Sequence, residues 1–566
     1  MMQKYWIFTA LTFAAMSVYA QDAPVRAALP DAQAPADLGP LPDFRLLDQY
    51  GRSHTAHRFV DAAALVYMAI PREHPDLASR ITAFRELAQN HADGEIFFFL
   101  VLPSARPDGI AELAGDLPLL LDEAQIALPA LGLDEAFECV MAESSHWRVL
   151  FRGGLAGDGA TTRGLTDALA AFREGSLAPF ASATQEEKLA LHPMPQNISY
   201  SQTIAPILAE KCVKCHSEGN VAPFAMDSHR RVAGWAEMMA ETVRAGRMPP
   251  WGADPGFGHF SNSLALNTQE TRVLLAWLEA GAPKDDAPDP LETLRPAPPT
   301  EWRLGKPDIV IALPEPQEVP ASGILDYRYY DIPLNLPEGT WLRGTEVRVT
   351  EPSVMHHILV YLRRPGQDID FTQEYIASYV PGHDPALFPE DTGKPVPSDA
   401  SLLFQLHYTT NGRPVVDRPE LGLYLHKSPP RHEVFLGSAV NHRFSIPPYA
   451  TDHEVTATFR APADILVYSL APHMHYRGSR MHFEARYPSG EREVLLSVPD
   501  YDFLWQHSYH LAQPKRIPAG TEILVAGAFD NSLRNPLNPD PTQRLTWGEQ
   551  STEEMFIGSV FYRVAN

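Results

Sequence analysis

The sequence predicts a multidomain protein: an α/β unit first, a small all-α unit next, and an all-β region built as a pair of antiparallel sandwiches last. Three observations lead there. The chain has 566 residues, far more than one ordinary domain uses. Between positions 64 and 102 two apolar runs, ALVYMAI and EIFFFLVL, flank a segment of helical periodicity, LASRITAFRELAQN. Beyond Trp302 that periodicity fades, and short strand-like stretches recur between Pro, Gly, Asn and Asp, as in HHILVYL, SLLFQLHYTT and TEILVAGAFDNS.

The first element is a targeting segment. MMQKYWIFTALTFAAMSVYAQ sets Lys4 before an apolar run and ends on Val18, Tyr19 and Ala20, a small-residue cleavage pattern. Residues 1–20 are therefore expected to be a secretory signal peptide, exporting the chain to the periplasm or the extracellular space; an uncleaved anchor is the alternative. No later run approaches the roughly 18 apolar residues of a membrane span, so no stable membrane insertion is expected after cleavage. A formal charge of −24 repels nucleic acid and points to a redox or small-molecule partner. Only three cysteines occur, Cys139, Cys212 and Cys215, too few for a disulfide framework.

The α/β unit is expected over residues 40–180, closing with WRVLFRGGL. Its β-α-β order and its PDFRLLDQYG opening, P-x-F-x-L-x-D-x-x-G, resemble the redoxin branch of the thioredoxin-like fold. Redox-active members of that branch carry a cysteine where the first central strand meets its helix. Here that junction reads IPREHPDLAS and has none, so the unit is expected to be redox-inactive. Cys139, in the apolar run AFECVMA, reads as a buried structural thiol.

After a segment at 183–197, helices are expected around 204–211, 232–246 and 268–280, followed by a Pro-rich linker, APDPLETLRPAPPTEW, at 287–302. Within the helical stretch lies Cys212-x-x-Cys215-His216, the attachment pattern of c-type haem, whose thiols bond the porphyrin and whose histidine is the proximal ligand. A redox pair is the competing use of C-x-x-C, but the adjacent histidine favours haem. Zinc needs further ligands that no other cysteine can supply. Met248, in AGRMPPWGADPGFGHF, is the candidate sixth ligand, its thioether held beside two prolines; Met238 and Met239 are assigned to the core. With I-x-P-I-L before the motif and R-M-P-P-W after it, residues 198–286 resemble the cytochrome c domains of large exported bacterial redox proteins.

No cysteine follows Cys215, so any metal in the all-β region must use His, Met or carboxylate. Three elements stand out: His356 and His357 heading a strand, His407 in QLHY, and His473-x-His475 in APHMHYRG. Residues i and i+2 of a strand share a face, so His473 and His475 can chelate one ion from regular backbone. Adjacent His356 and His357 need a bulge, a strand end or different ring nitrogens. A lone histidine in a sandwich is ordinarily a satisfied core or surface residue, and His383, His426, His442, His482, His507 and His510 are taken as structural.

Together with GEQSTEEMFIG at 548–558, these marks resemble the copper type II, ascorbate-dependent monooxygenase family, which includes peptidylglycine hydroxylating and dopamine β-monooxygenases. The resemblance covers residues 300–566 and implies two jelly-roll-like sandwiches, 300–435 and 436–566. It also implies two copper ions: His356, His357 and His407 would hold an electron-transferring copper, and His473, His475 and Met555 an oxygen-activating one. The thioether suits that division, because it favours Cu(I), the state that meets oxygen. Two positions depart from the peptide-amidating branch, Ala471 in place of an arginine and Ser559 in place of a tyrosine, which speaks against peptidylglycine as substrate.

The expected function is hydroxylation of a C–H bond on a small organic molecule with O2. Electrons would come from an external donor, ascorbate-like or a redox protein, and pass through the haem to the copper of His356, His357 and His407. The alternative is an electron-transfer or copper-binding protein that hydroxylates nothing.

Overall fold

The computed structural model describes residues 37–156, 163–184, 186–294, 301–323, 325–364, 375–381 and 385–565. The signal-peptide segment, His383 and positions 295–300 of the expected linker lie outside these residues. Among the described residues no helix is long and apolar enough to cross a membrane.

Ala64–Ala69, six buried residues in a row, is the centre of the first sheet. A strand with no polar face must be covered on both sides, and its neighbours provide that cover. It runs parallel to Ile96–Leu102 and antiparallel to Cys139–Glu143, which pairs antiparallel with Arg148–Gly153. The helix Leu77–Asn90 crosses between the first two strands and buries Ile81, Phe84 and Ala88, a stripe at helical spacing. This is a thioredoxin-like arrangement, one part of a multidomain chain. The Cys139 thiol is fully buried in its strand, 3.5 Å from the Phe137 carbonyl, and burial pushes its pKa far above the ordinary thiol range.

The helical stretch has its own apolar cluster, with Tyr200, Leu208, Met239, Leu274 and Trp277 among its members. Its helices are Ala205–Lys211, His229–Ala233, Ala236–Arg244 and Thr268–Glu279. Asn267 and Glu270 cap the last one reciprocally, at 2.9 and 2.8 Å. Met239 is in the core as expected, but Met238 is 53% exposed, since the two neighbours on a helix cannot share a narrow apolar stripe. The Pro-rich stretch is also not all linker. Buried Asp289 accepts the Tyr200 hydroxyl at 2.6 Å and the His229 backbone N–H at 2.5 Å, and Leu291 joins the cluster. Residues 287–294 therefore belong to the helical unit, whose expected end at 286 is too early.

The all-β region is two sandwiches that share one sheet. Thr392–Val396 runs parallel to His432–Val440, and this pair joins the strands of both halves into a nine-stranded sheet. Two four-stranded sheets complete the halves, and each half has its own apolar cluster. Val434–Val440 of the His432–Val440 strand pairs with Ile557–Val564, while His432 and Glu433 pair with Thr392 and Gly393, so one strand serves both halves.

The units are welded together. Trp251 and Leu264, from the loop after Met248, sit in the core of the second sandwich, and that loop bonds across to Ser497 and His510. Asp500 of the second sandwich accepts Arg45 and Arg58 of the first unit at 2.9 and 3.1 Å.

Candidate metal centre

The strand Met355–Arg363 pairs antiparallel with Ser401–Tyr408, and the register shifts between Met355 and His357. This is the irregularity that adjacent histidines require. Regular pleating would send His356 and His357 to opposite faces; the bulge turns both toward His407, which stands opposite His357. Ring centroids lie 5.3 Å (His356–His357), 4.7 Å (His356–His407) and 5.2 Å (His357–His407) apart. One ring nitrogen from each lies within 4.8 Å of the others, and all three residues are buried.

Two ring nitrogens of these residues, His356 Nε2 and His407 Nδ1, are buried with no hydrogen-bond partner. An unmet buried polar atom costs about 1–3 kcal/mol, so two together mark a place built for something else to satisfy. Burial holds His356 down to about 3 and His407 to about 4, and takes His357 well below its ordinary value. The rings are therefore neutral, with lone pairs available. The Gln405 side-chain oxygen, 3.3 Å from His357 Nε2, takes that ring's proton and leaves Nδ1 facing the cluster; the same amide donates to the Tyr329 hydroxyl at 3.0 Å, which fixes its orientation. The donor set fits a copper ion.

The second set is built at a strand end. Ile465–His473 pairs with Ile557–Val564, His473 lying opposite Ile557, two residues beyond Met555. His473 and His475 face each other at 5.2 Å and 89°. His473 Nδ1 lies 2.6 Å from the Gln506 side-chain oxygen, and His475 Nδ1 lies 3.2 Å from the Glu553 carbonyl. With both Nδ1 protons committed to oxygen acceptors, both rings present Nε2 as a lone pair. Fully buried Glu554 accepts the backbone N–H groups of His475 and Arg477 at 2.9 and 2.7 Å. Burial raises its carboxyl to about 8. That clamp ties the segment carrying Met555 to the H-x-H segment. This set also fits copper, with a thioether as third donor.

One cavity of about 330 Å³ receives His357 and Gln405 from the first sandwich and His473, His475 and Met555 from the second. Tyr327, Tyr361, Tyr375, Tyr468, Phe435 and Phe561 supply much of its wall, and Ala471 and Ser559 line it too. His356 and His407 stand behind it. Buried Phe503 lies between the two sets, stacked on His356 at 4.8 Å and edge-on to His475 at 6.0 Å. Of the histidines taken as structural, His426 bonds the Thr392 carbonyl and His442 packs on Trp547. His510 instead lines the cavity, and His507 reaches the Pro250 carbonyl at 2.6 Å. Gln405 had a sequence signal, two residues before His407 on the same strand face. Gln506 had none, because only folding brings it to His473.

In the helical unit, Cys212 follows directly on the helix Ala205–Lys211, and the loop closes with Cys215 and His216 N–H groups on the Cys212 carbonyl at 3.1 and 2.9 Å. No disulfide joins Cys212 to Cys215. His216 is buried and its Nδ1 donates to the Phe224 carbonyl at 3.0 Å, leaving Nε2 as the lone-pair nitrogen. This is the donor set a covalently attached haem needs. Met248 is half-buried on the loop that leads to Trp251.

No protein-family model matches the chain. Similar solved structures each cover a minor part of it. An uncharacterized conserved protein from Geobacillus kaustophilus is 20% identical with a TM-score of 0.23, over 28% of this chain and 93% of its own. The thioredoxin domain of a thiol-disulfide oxidoreductase from Bacteroides vulgatus is 11% identical with a TM-score of 0.21, over 25% of this chain and 99% of its own. A thioredoxin-like protein from Aeropyrum pernix is 13% identical with a TM-score of 0.19, over 23% of this chain and 89% of its own.

Proposed function

We propose that the chain is an exported copper-dependent monooxygenase that hydroxylates a C–H bond of a small organic molecule with O2, its electrons supplied through a c-type haem attached at Cys212 and Cys215. The observation that carries this reading is the buried His356, His357 and His407 cluster, with two unpartnered ring nitrogens, beside a cavity into which His473, His475 and Met555 also reach. A protein that only carried electrons or stored copper would have no use for a substrate-sized chamber against its ligands.

Copper at the two sets supplies one-electron redox chemistry and the activation of O2. The net reaction consumes one O2, two electrons and two protons, places one oxygen atom in the substrate and releases the other as water. The chain's residues arrange it. Gln506 and the Glu553 carbonyl hold the Nδ1 protons of His473 and His475, so that both Nε2 atoms stay aimed as ligands. The Glu554 clamp keeps Met555 beside them. The Tyr and Phe walls bind an apolar molecule and exclude water from its C–H bond, while Gln405 holds His357 in a single tautomer. Cys212 and Cys215 would attach the haem and His216 and Met248 would ligate its iron, and it would supply one-electron transfer from an external donor, ascorbate-like or a redox protein.

The test is untargeted product analysis of protein loaded with copper and haem, supplied with reductant, a native small-molecule extract and isotopically labelled O2. A hydroxylated product carrying the label is expected, and it should vanish in Met555→Ala. Oxygen consumption that puts no label into any organic product would overturn the reading.

A further inference from the structure

Residues 503–507, FLWQH, touch both candidate copper sets and the loop that follows Met248. Phe503 stacks on His356 with ring centroids 4.8 Å apart and planes 20° apart. Three residues on, the Gln506 side-chain oxygen meets His473 Nδ1 at 2.6 Å. The next residue, His507, bonds through Nε2 to the carbonyl of Pro250, two residues after Met248, at 2.6 Å. The turn is fixed by its own backbone, Trp505 N–H donating to Asp502 at 2.9 Å and His507 N–H to Trp505 at 3.0 Å. Gln506 also donates to the Phe503 carbonyl at 3.3 Å. Burial lowers the His507 ring to about 4, and Lys214, which lies between the two haem cysteines, adds to that shift.

On the reading of the chain as a haem and copper enzyme, the two links are unequal. From the Met248 loop to His473 the path is one hydrogen bond, the Gln506–His507 backbone, and a second hydrogen bond. From the same loop to His356 it continues along the backbone to Phe503 and ends in a ring stack without a hydrogen bond. Short hydrogen bonds in a dry interior are stronger and better ordered than stacks, and they couple their ends more tightly.

We propose that residues 503–507 are the electron path between the domains, with His507 and Gln506 as its two links, and that electrons from the haem enter at the His473, His475 and Met555 copper rather than at the His356, His357 and His407 copper. One electron moves per step, oxidising ferrous haem to ferric and reducing one cupric ion to cuprous; no bond or proton is exchanged. Phe503 passes the next electron between the copper sites.

The experiment uses full-length protein whose haem and copper contents have been measured, prepared without oxygen and with both coppers cupric. The haem is reduced by a light pulse, its reoxidation is followed by absorbance, and the two cupric signals are followed by freeze-quench electron paramagnetic resonance. The signal lost in Met555→Ala, taken from a separate sample, identifies the second site. In unsubstituted protein that signal should fade first. His507→Phe, which keeps an aromatic ring and loses the bond to Pro250, should slow haem reoxidation by about tenfold or more, the scale of a broken coupling path. His507→Gln, which keeps an N–H donor, should recover most of the rate. An unchanged rate in His507→Phe, or earlier fading of the other cupric signal, overturns the path. The order of fading needs no substitution, so it decides even if His507→Phe fails to fold. Protein that binds no copper or no haem, or that moves no electron between them, overturns the proposed function itself rather than the route.

Discussion

Among the described residues of the first sandwich, His356 Nε2 and His407 Nδ1 are buried ring nitrogens for which folding provides no partner. Leaving them bare costs stability, and binding a cation that accepts both lone pairs returns it. Gln405 acts one step out, through the tautomer of His357. Gln405→Leu should therefore weaken copper binding at this set by about 10–100-fold, the usual effect of removing such a partner, and His407→Ala should abolish it. Titration against a competing chelator measures both, and equal affinity in Gln405→Leu would show that the amide does not set the ring. The grouping of His407 with His356 and His357 came from the resemblance and not from spacing; what the sequence itself required was an irregularity at the two adjacent histidines, and the register shift is there. Gln506 and Phe503 were not legible. They come from a segment whose side chains reach the ligands only after the sandwich closes, and no spacing in the sequence encodes that.

At the level of elements, local patterns were legible and long-range pairings were not. The runs at 64–70 and 95–102 gave their strands because an unbroken apolar run has few other uses. The stretch at 287–302 misled because proline content marks absent regular structure, not absent packing: Asp289 and Leu291 are buried. The shared sheet depends on Thr392–Val396 lying parallel to His432–Val440, a pairing set by tertiary packing rather than by either strand's composition. Gly393 sits at that junction. A Cβ there would come within 2.7 Å of the Leu342 carbonyl, 2.9 Å of Pro430 and 3.0 Å of the His426 ring. The backbone oxygen cannot swing aside as a flexible side chain would. Gly393→Val should consequently destabilise the all-β region by about 1–3 kcal/mol through overpacking, read as a lowered midpoint in urea with an unaltered slope. An unchanged midpoint would mean that the two halves do not depend on this junction.

For the whole molecule, the domain order was readable but the manner of assembly was not. The sequence suggested units spaced by a proline tether; the structure has units in direct contact, with Trp251 of the Met248 loop inside the second sandwich and Asp500 of that sandwich held by two arginines of the thioredoxin-like unit. Through Arg45 and Arg58 the first unit contacts the sandwich at Asp500, three residues before the 503–507 turn begins. Burial alone would raise the Asp500 carboxyl, but the Arg58 and Arg45 guanidiniums outweigh it and hold the group below the ordinary carboxylate range. The sign of the pH effect follows. A carboxyl with a depressed folded pKa contributes stability that is fully present above its unfolded value, about 3.9, and is lost as the pH falls through the lower folded value. Asp500→Asn removes the charge and leaves Arg45 and Arg58 facing an amide, while most of the side-chain volume stays. The difference in unfolding free energy between Asp500→Asn and the unsubstituted chain should then be constant from pH 7 to about pH 5 and shrink below about pH 4, as the native carboxylate is protonated. Urea titrations at each pH, followed by tryptophan fluorescence, measure it. A difference that instead grows on acidification would mean that Asp500 is not ionised in the folded protein and that the arginines are anchored by other groups.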